Sequence, residues 1–168
     1  MTTEIDRNAA AREQARTQLE SIVAMVDRWN HANGCEDWNP DECEATATEI
    51  FAGLNLSRGK GEEPTDEMRE EYHDEEKARE AIEESPLSVE IRSGWMTPGE
   101  PLEAFEFCIL LCTGGPAVRV VGLLGNHGEP IRAEIEFGDW FTSWEELITG
   151  GSDHDALLTY ARMFYFGS

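Results

Sequence analysis

The chain has 168 residues and a formal net charge of −22 at pH 7, with 35 acidic residues against 13 lysines and arginines. A negative field of this size repels nucleic acid and anionic membrane and attracts proteins with basic surfaces. Direct binding to DNA, RNA or a membrane is therefore not expected. The length is typical of one domain with a real hydrophobic core, and we expect a single domain over residues 1–168.

Neither a membrane span nor an export signal is expected. The sequence has no run of about 18 apolar residues, the length that a membrane-spanning helix needs. The first six residues lack the basic and apolar regions of a signal peptide. The four cysteines are then expected as reduced thiols. We therefore expect the protein in the cytoplasm of its host cell.

The first half, residues 1–84, is predicted to be helical and acidic. Apolar residues recur at three- and four-residue steps over 19–29 and predict a long first helix that stops at Asn33-Gly34. The tetrad Asn39-Pro40-Asp41-Glu42 has a capping residue, then proline, then acids, which predicts the start of a second helix. Thr65 predicts the cap of a third helix, running to about Glu84.

The second half, residues 85–168, is predicted to form an antiparallel sheet and a last helix. Alternating patterns predict four strands, over 87–92, 105–112, 118–124 and 131–137, and the second of these is apolar on both faces, as a central strand would be. Residues 140–148 predict a short helical turn, and a closing helix begins near Ser152. The predicted fold class is α+β, with three N-terminal helices, a four-stranded antiparallel meander and a C-terminal helix.

The charge is concentrated in residues 35–84, which hold 18 carboxylates against five basic residues. A helix over 62–84 would span about 33 Å with one negative charge per ~3 Å, while duplex DNA presents one per about 1.7 Å of axis. A rigid acidic helix can thus imitate part of a DNA strand. The expected partner-binding carboxylates are Glu63, Asp66, Glu67, Glu70, Glu71, Asp74 and Glu75, together with Asp37, Asp41, Glu42 and Glu44 near the second helix.

Two other interpretations of the acidity stay open. A solvated helix face is common in acidic proteins, and salt adaptation also raises acidity, although here Glu outnumbers Asp by 26 to 9. Like charges four residues apart on one helix destabilise it by a few tenths of a kcal/mol per pair. Seven such pairs over 63–84 oppose folding, which favours a function for the negative surface. Acids at the start of the second helix have a purely structural explanation as well.

Aromatic residues provide a second candidate contact. Trp140, Phe141 and Trp144 lie in a predicted turn. They either seal an edge of the core or serve as aromatic anchors at a protein interface, where tryptophan is enriched.

No metal, cofactor or catalytic residue is expected. His31, Cys35 and Cys43 offer nitrogen and sulfur ligands, but the spacing lacks the short Cys-x2-4-Cys knuckle of a zinc site. Cys108 and Cys112 lie on one strand face and are expected in the core. Nucleophile elbows, phosphate loops, zinc-protease helices and dinucleotide fingerprints are all missing from the sequence, which leaves an enzyme as the third interpretation.

Three tracts of the second half resemble small proteins carried by phages and other mobile elements. They are SPLSVEIRSGW (85–95), CTGGPAVRV (112–120) and the pair Asp139-Trp140. The resemblance implies a mobile-element setting, where small acidic proteins often disarm host defence as anti-restriction or anti-CRISPR inhibitors. We therefore expect a non-enzymatic inhibitor that occupies the basic nucleic-acid-binding surface of a host defence complex. The alternative is a protein-interaction module or a salt-adapted housekeeping domain whose acidity is only solvation.

Overall fold

The computed structural model describes residues 8–35, 39, 43–140 and 142–167. The described elements form an α+β fold, as predicted. In chain order they are α1 (Ala9–Gly34), α2 (Ala47–Gly53), α3 (Asp66–Tyr72), α4 (Glu75–Glu83), β1 (Ser88–Ser93), β2 (Ala104–Cys112), β3 (Ala117–Leu124), β4 (Pro130–Gly138), β5 (Glu145–Glu146) and α5 (Gly151–Arg162).

The strands form one antiparallel sheet in the order β1-β2-β3-β4-β5. The four predicted strands and the meander are confirmed, but the prediction of four strands in total is wrong. Glu145 and Glu146 pair with Phe137 and Glu136 and add β5 beyond β4. The helical turn predicted over 140–148 is therefore also wrong in the described part of that segment, because two of its residues extend the sheet instead.

The hydrophobic core lies between the sheet and two helices. Helix α1 packs over β3 and β4, α5 packs over β4, and α4 contacts α1. Less than a tenth of each core residue is exposed. The core includes Ile22 of α1, Ile82 of α4, Phe107, Ile109, Val118, Val120, Ile135 and Phe137 of the sheet, and Leu157 and Tyr160 of α5. One layer of helices thus covers one face of the sheet.

The opposite face of the sheet lies outside this core. On β2 the residues that point to it, including Cys108, are half-buried, so the prediction that Cys108 belongs to the core is wrong. Cys112 follows a register shift, pairs with buried Val118 and is half-buried against the core, as predicted. The face carries ion pairs between neighbouring strands, Arg92 with Glu106 and Arg119 with Glu136. The apolar pattern on both faces of β2 indicated burial on both sides, but among the described elements the helices pack on one side only.

The third predicted helix is broken in two. Thr65 caps it as predicted, since its Oγ1 accepts the Met68 backbone N–H at 3.2 Å, but α3 ends at Tyr72. Asp74 is extended and caps a new helix: its Oδ1 accepts the Lys77 N–H at 3.1 Å. The prediction of one rigid acidic helix of about 33 Å over residues 62–84 is therefore wrong.

The second predicted helix begins later than predicted. Residues 40–42 lie outside the described residues, and 43–46 are not helical. Helix α2 begins at Ala47 because Thr46 and Glu49 form a capping box. The Glu49 N–H donates to Thr46 Oγ1 at 3.3 Å, and the Thr46 N–H donates to Glu49 Oε2 at 2.7 Å.

Candidate functional site

The acidic segment, defined as residues 62–84, is exposed along most of its length. Of the predicted partner-binding carboxylates in it, Asp74 is half-buried and the others are exposed. Glu63 pairs with Arg58 at 3.3 Å and Glu83 with Arg79 at 2.8 Å. For the remaining carboxylates of the segment, the described part of the chain contains no ion-pair partner. Most of this charge therefore faces solvent without an internal counter-charge.

The break between α3 and α4 lowers the electrostatic cost of this arrangement. Four of the carboxylates lie in first helical turns, where the helix dipole favours negative charge. The like-charge pairs that remain within one helix are Asp66/Glu70, Glu67/Glu71 and Glu76/Glu80. The sequence argument that the run as a whole opposes folding is thus too strong, because the other predicted pairs are divided by helix ends.

Glu71 and Asp74 lie near the buried guanidinium of Arg28, although the described ion pairs include neither carboxylate with it. Arg28 of α1 is only 4% exposed, and its Nη2 donates to the backbone carbonyl of Glu71 at 2.7 Å. Burial lowers the pKa of Arg28, while the charges of Glu71 and Asp74 act against that shift. The Glu71 backbone carbonyl therefore attaches the α3–α4 junction to α1, and the charges of Glu71 and Asp74 favour the charged form of buried Arg28.

The other predicted contacts are only partly described. Asp37, Asp41 and Glu42 lie outside the described residues, and Glu44 is exposed just before α2. Phe141 also lies outside the described residues.

The two described anchor tryptophans differ in their surroundings. Trp140 is 68% exposed, whereas the guanidinium of Arg119 lies 3.9 Å from the ring centroid of Trp144. Trp140 is thus available to a partner, while Trp144 already takes part in an internal cation–π contact.

An exposed apolar edge was not predicted from the sequence. Val89 and Ile91 of β1 pair with Ile109 and Phe107, whose side chains are buried under the helices. Yet Val89 is 40% and Ile91 54% exposed, because β1 extends beyond the part of the sheet that α1 and α5 cover. Trp95, just after β1, is fully exposed.

Two histidines and two cysteines meet where three segments join. His31 lies in the last turn of α1, Cys35 follows that helix, Cys43 precedes α2, and His73 ends α3. The Nε2 atoms of His31 and His73 are 2.9 Å apart, and Cys43 Sγ lies 3.3 Å from the first and 2.9 Å from the second. Ligand atoms of His31, Cys35 and His73 all lie within 4.8 Å of one another. We call these four residues the His-Cys cluster.

The sequence argument missed His73 because it considered spacing along the chain. His73 is 30 residues beyond Cys43 and comes close only because the C-terminal end of α3 lies beside α1, where Arg28 Nη2 donates to the Glu71 carbonyl. A histidine beside a predicted helix end is a weak signal, so the sequence alone could not add it to the other three residues.

Aromatic and acidic groups surround the His-Cys cluster. The ring of Tyr72 lies 5.4 Å from that of His31 and 5.5 Å from that of His73, and burial raises the pKa of Tyr72 to about 12. Burial lowers the pKa of His73. The pKa of Asp27 is raised, first by burial and then by the nearby charge of Glu49. Burial thus favours the neutral imidazole of His73, the form that can bind a metal ion.

A cleft of about 500 Å³ lies next to the cluster, between α1 and α2. Leu19 and Val23 form part of its apolar wall, and Asp27 and Glu49 supply carboxylates. The carboxylates give the cleft the same negative sign as the acidic segment.

No protein-family model, curated protein or solved structure matches the chain. None of the described helices is both long and apolar enough to cross a membrane.

Proposed function

We propose that the protein is a non-enzymatic binding protein whose acidic segment occupies a basic surface of another protein. The observation that carries this proposal is the set of exposed carboxylates on α3 and α4 that have no internal ion-pair partner in the described chain. Charges of one sign on neighbouring short helices raise the rate of encounter with a basic surface and select against acidic ones.

The partner that fits this charge best is a nucleic-acid-binding protein of a host defence complex. Lysines and arginines arranged for phosphate can pair with carboxylates instead, and counterions are then released from both surfaces. The protein acts by occlusion, so the mechanism needs no chemical step and no direct contact with DNA or RNA. Because α3 and α4 are separate helices, the carboxylates offer two short clusters and not one straight strand.

The arrangement gives each part of the molecule a separate role. Helix α1 and the sheet form the support, and contacts of α4 and Arg28 hold the acidic segment against α1. Exposed Trp140 is the one described residue of the predicted aromatic anchors that remains available for an apolar contact. Tryptophan at such a position contributes more than a rim charge does.

Two variants of equal charge test the proposal. The first replaces Glu67, Glu70, Glu75, Glu76 and Glu80 of the acidic segment by Gln, and the second replaces the exposed Glu90, Glu100, Glu103, Glu129 and Glu146 of the other half. Each variant removes five negative charges and so changes the net charge from −22 to −17. Neither variant changes Glu71 or Asp74, whose charges act on buried Arg28. The readout is protection of incoming phage or plasmid DNA in cells with a restriction or CRISPR system.

We expect the acidic-segment variant to lose protection and the control variant to keep it. Exposed pairs contribute about 0.2–1 kcal/mol each, so five of them amount to a loss of roughly 5-fold or more in affinity. Equal protection by the two variants, with folding confirmed by circular dichroism, would mean that the acidic segment is only a solvated face.

A further inference from the structure

We propose that the His-Cys cluster is a structural zinc site in which His31, Cys35, Cys43 and His73 are the ligands. This inference does not depend on the proposed function. Two imidazole nitrogens and two thiolate sulfurs are the ligand set of structural zinc, which is bound tetrahedrally. Magnesium and calcium prefer oxygen ligands and do not fit this set.

The distances among His31, His73 and Cys43 fit one small cation between them, and a ligand atom of Cys35 lies within 4.8 Å of those of His31 and His73. Zinc bonds are about 2.0–2.1 Å to nitrogen and 2.3 Å to sulfur, which places tetrahedral ligand atoms roughly 3.3–3.8 Å apart. The atoms of His31, His73 and Cys43 are separated by 2.9–3.3 Å. Outward shifts of less than about 1 Å give tetrahedral spacing.

Hydrogen bonds alone do not account for the close approach of His31 Nε2, His73 Nε2 and Cys43 Sγ. His73 Nδ1 lies 2.6 Å from the carbonyl oxygen of Arg69, which can only accept, so the ring proton is on Nδ1. The Nε2 atom of His73 then has a single lone pair. Yet both His31 Nε2 and Cys43 Sγ lie 2.9 Å from it. A cation that accepts a lone pair from each of the three atoms satisfies all of them together.

The groups around the ligands support metal binding. A ligand histidine usually donates its other ring N–H to a carbonyl or carboxylate, and His73 does so to Arg69. The backbone N–H of Ala45 points at Cys43 Sγ at 3.4 Å and stabilises a thiolate there. His31 lies in the last turn of α1 and Cys35 directly follows the helix, and their ligand atoms lie within 4.8 Å of each other.

The position of the cluster explains what a metal ion would contribute. It joins the end of α1, the segment before α2 and the junction of α3 and α4. The helices α2 and α3 have little core of their own: α3 buries Tyr72, and Ile50 and Phe51 of α2 lie outside the main core cluster. Small units with little apolar burial are commonly completed by a metal ion. Zinc would fix the acidic segment on α1.

The test measures zinc in the full-length protein purified from zinc-supplemented cells. We expect about one zinc ion per chain in the wild type and near zero in the double variant Cys43→Ser/His73→Asn. The matched control, Cys108→Ser/His127→Asn, changes the same residue types elsewhere and is expected to keep its zinc. A wild type that holds no more zinc than the double variant would overturn the proposal.

A second measurement does not depend on the folding of the variant. Wild-type protein stripped with EDTA is titrated with Co²⁺, which takes the place of zinc and gives absorption bands of thiolate ligation and tetrahedral geometry. We expect both bands to saturate at about one Co²⁺ per chain, to disappear on addition of Zn²⁺, and to be unchanged in the control variant. The melting temperature of the stripped wild type is expected to rise when Zn²⁺ is added. Absence of thiolate ligation in the Co²⁺ spectrum would overturn the proposal.

Discussion

At the scale of single residues, buried polar groups decide how the helical half is attached to the sheet half. The Tyr160 hydroxyl of α5 donates to Ser85 Oγ at 2.7 Å, and Ser85 Oγ in turn donates to the Ile82 carbonyl oxygen at 2.7 Å. This chain of hydrogen bonds joins the end of α4 to α5. Burial raises the pKa of Tyr160 to about 12, because the phenolate would have to form inside the core.

Tyr160 leads to a prediction about alkaline stability. Its pKa is about 12 in the folded protein, against an ordinary value of 10.0. Because the pKa of Tyr160 is higher in the folded protein, its contribution to the free energy of unfolding is complete below pH 10. That contribution is lost as the pH rises towards about 12. Urea denaturation should therefore show stability falling over that range, and Tyr72, with its pKa also raised to about 12, adds to the fall.

Replacing Tyr160 by Phe separates this effect from others. Tyr160→Phe is expected to cost about 1 kcal/mol at neutral pH, the contribution of one hydrogen bond, and to make the alkaline loss smaller. The control Tyr165→Phe changes a residue that is 85% exposed and should leave both quantities unchanged. An unaltered alkaline profile in Tyr160→Phe would show that another group controls it.

At the scale of helices and strands, the sequence predicted elements with a strong local pattern. The four main strands alternate clearly, and Thr65 is an evident cap, so both were placed correctly. The break at His73-Asp74 could not be predicted, because Asp74 is one acid among many and only the structure shows it capping Lys77 N–H. The strand β5 has two residues and no periodicity, so it depends entirely on pairing with β4.

The position of a charge within its helix predicts opposite effects for the same substitution. Glu70 lies in the last turn of α3, four residues after Asp66, so its charge is unfavourable to both the dipole and its neighbour. Glu75 lies in the first turn of α4, four residues before Arg79, where a negative charge is favourable. Glu70→Gln should stabilise, and Glu75→Gln should destabilise, each by about 0.5 kcal/mol.

The two variants are best compared with each other. Both remove one charge from an exposed position, so any general relief of repulsion cancels in the difference. A difference of about 1 kcal/mol corresponds to about 2–4 °C in melting temperature for a chain of this size. Equal melting temperatures would mean that α3 and α4 are one continuous helix or that salt screens both effects.

At the scale of the whole molecule, composition predicted the sign of the field but not the shape that carries it. The excess of carboxylates in residues 35–84 follows from the sequence alone. Three features needed the fold: the division of the acidic segment into two helices, the use of Glu71 and Asp74 to support Arg28, and the approach of His73 to Cys43. Each depends on contacts between residues that are far apart in the chain, which local patterns do not record.

Salt separates the roles of the net charge in folding and in binding, because it changes them in opposite directions. Repulsion among exposed carboxylates destabilises the compact state, and charges are screened beyond about 8 Å at physiological ionic strength. Added NaCl should therefore raise the melting temperature of the isolated protein.

Attraction to a basic partner is screened by the same ions, so the affinity for that partner should fall steeply as the salt concentration rises, as it does for proteins that contact phosphates. Both expectations can be tested over one NaCl series, by calorimetric melting of the protein and by its binding to a basic nucleic-acid-binding protein. An affinity that does not change with salt would assign the contact to apolar groups such as Trp140, even if the stability rises as expected.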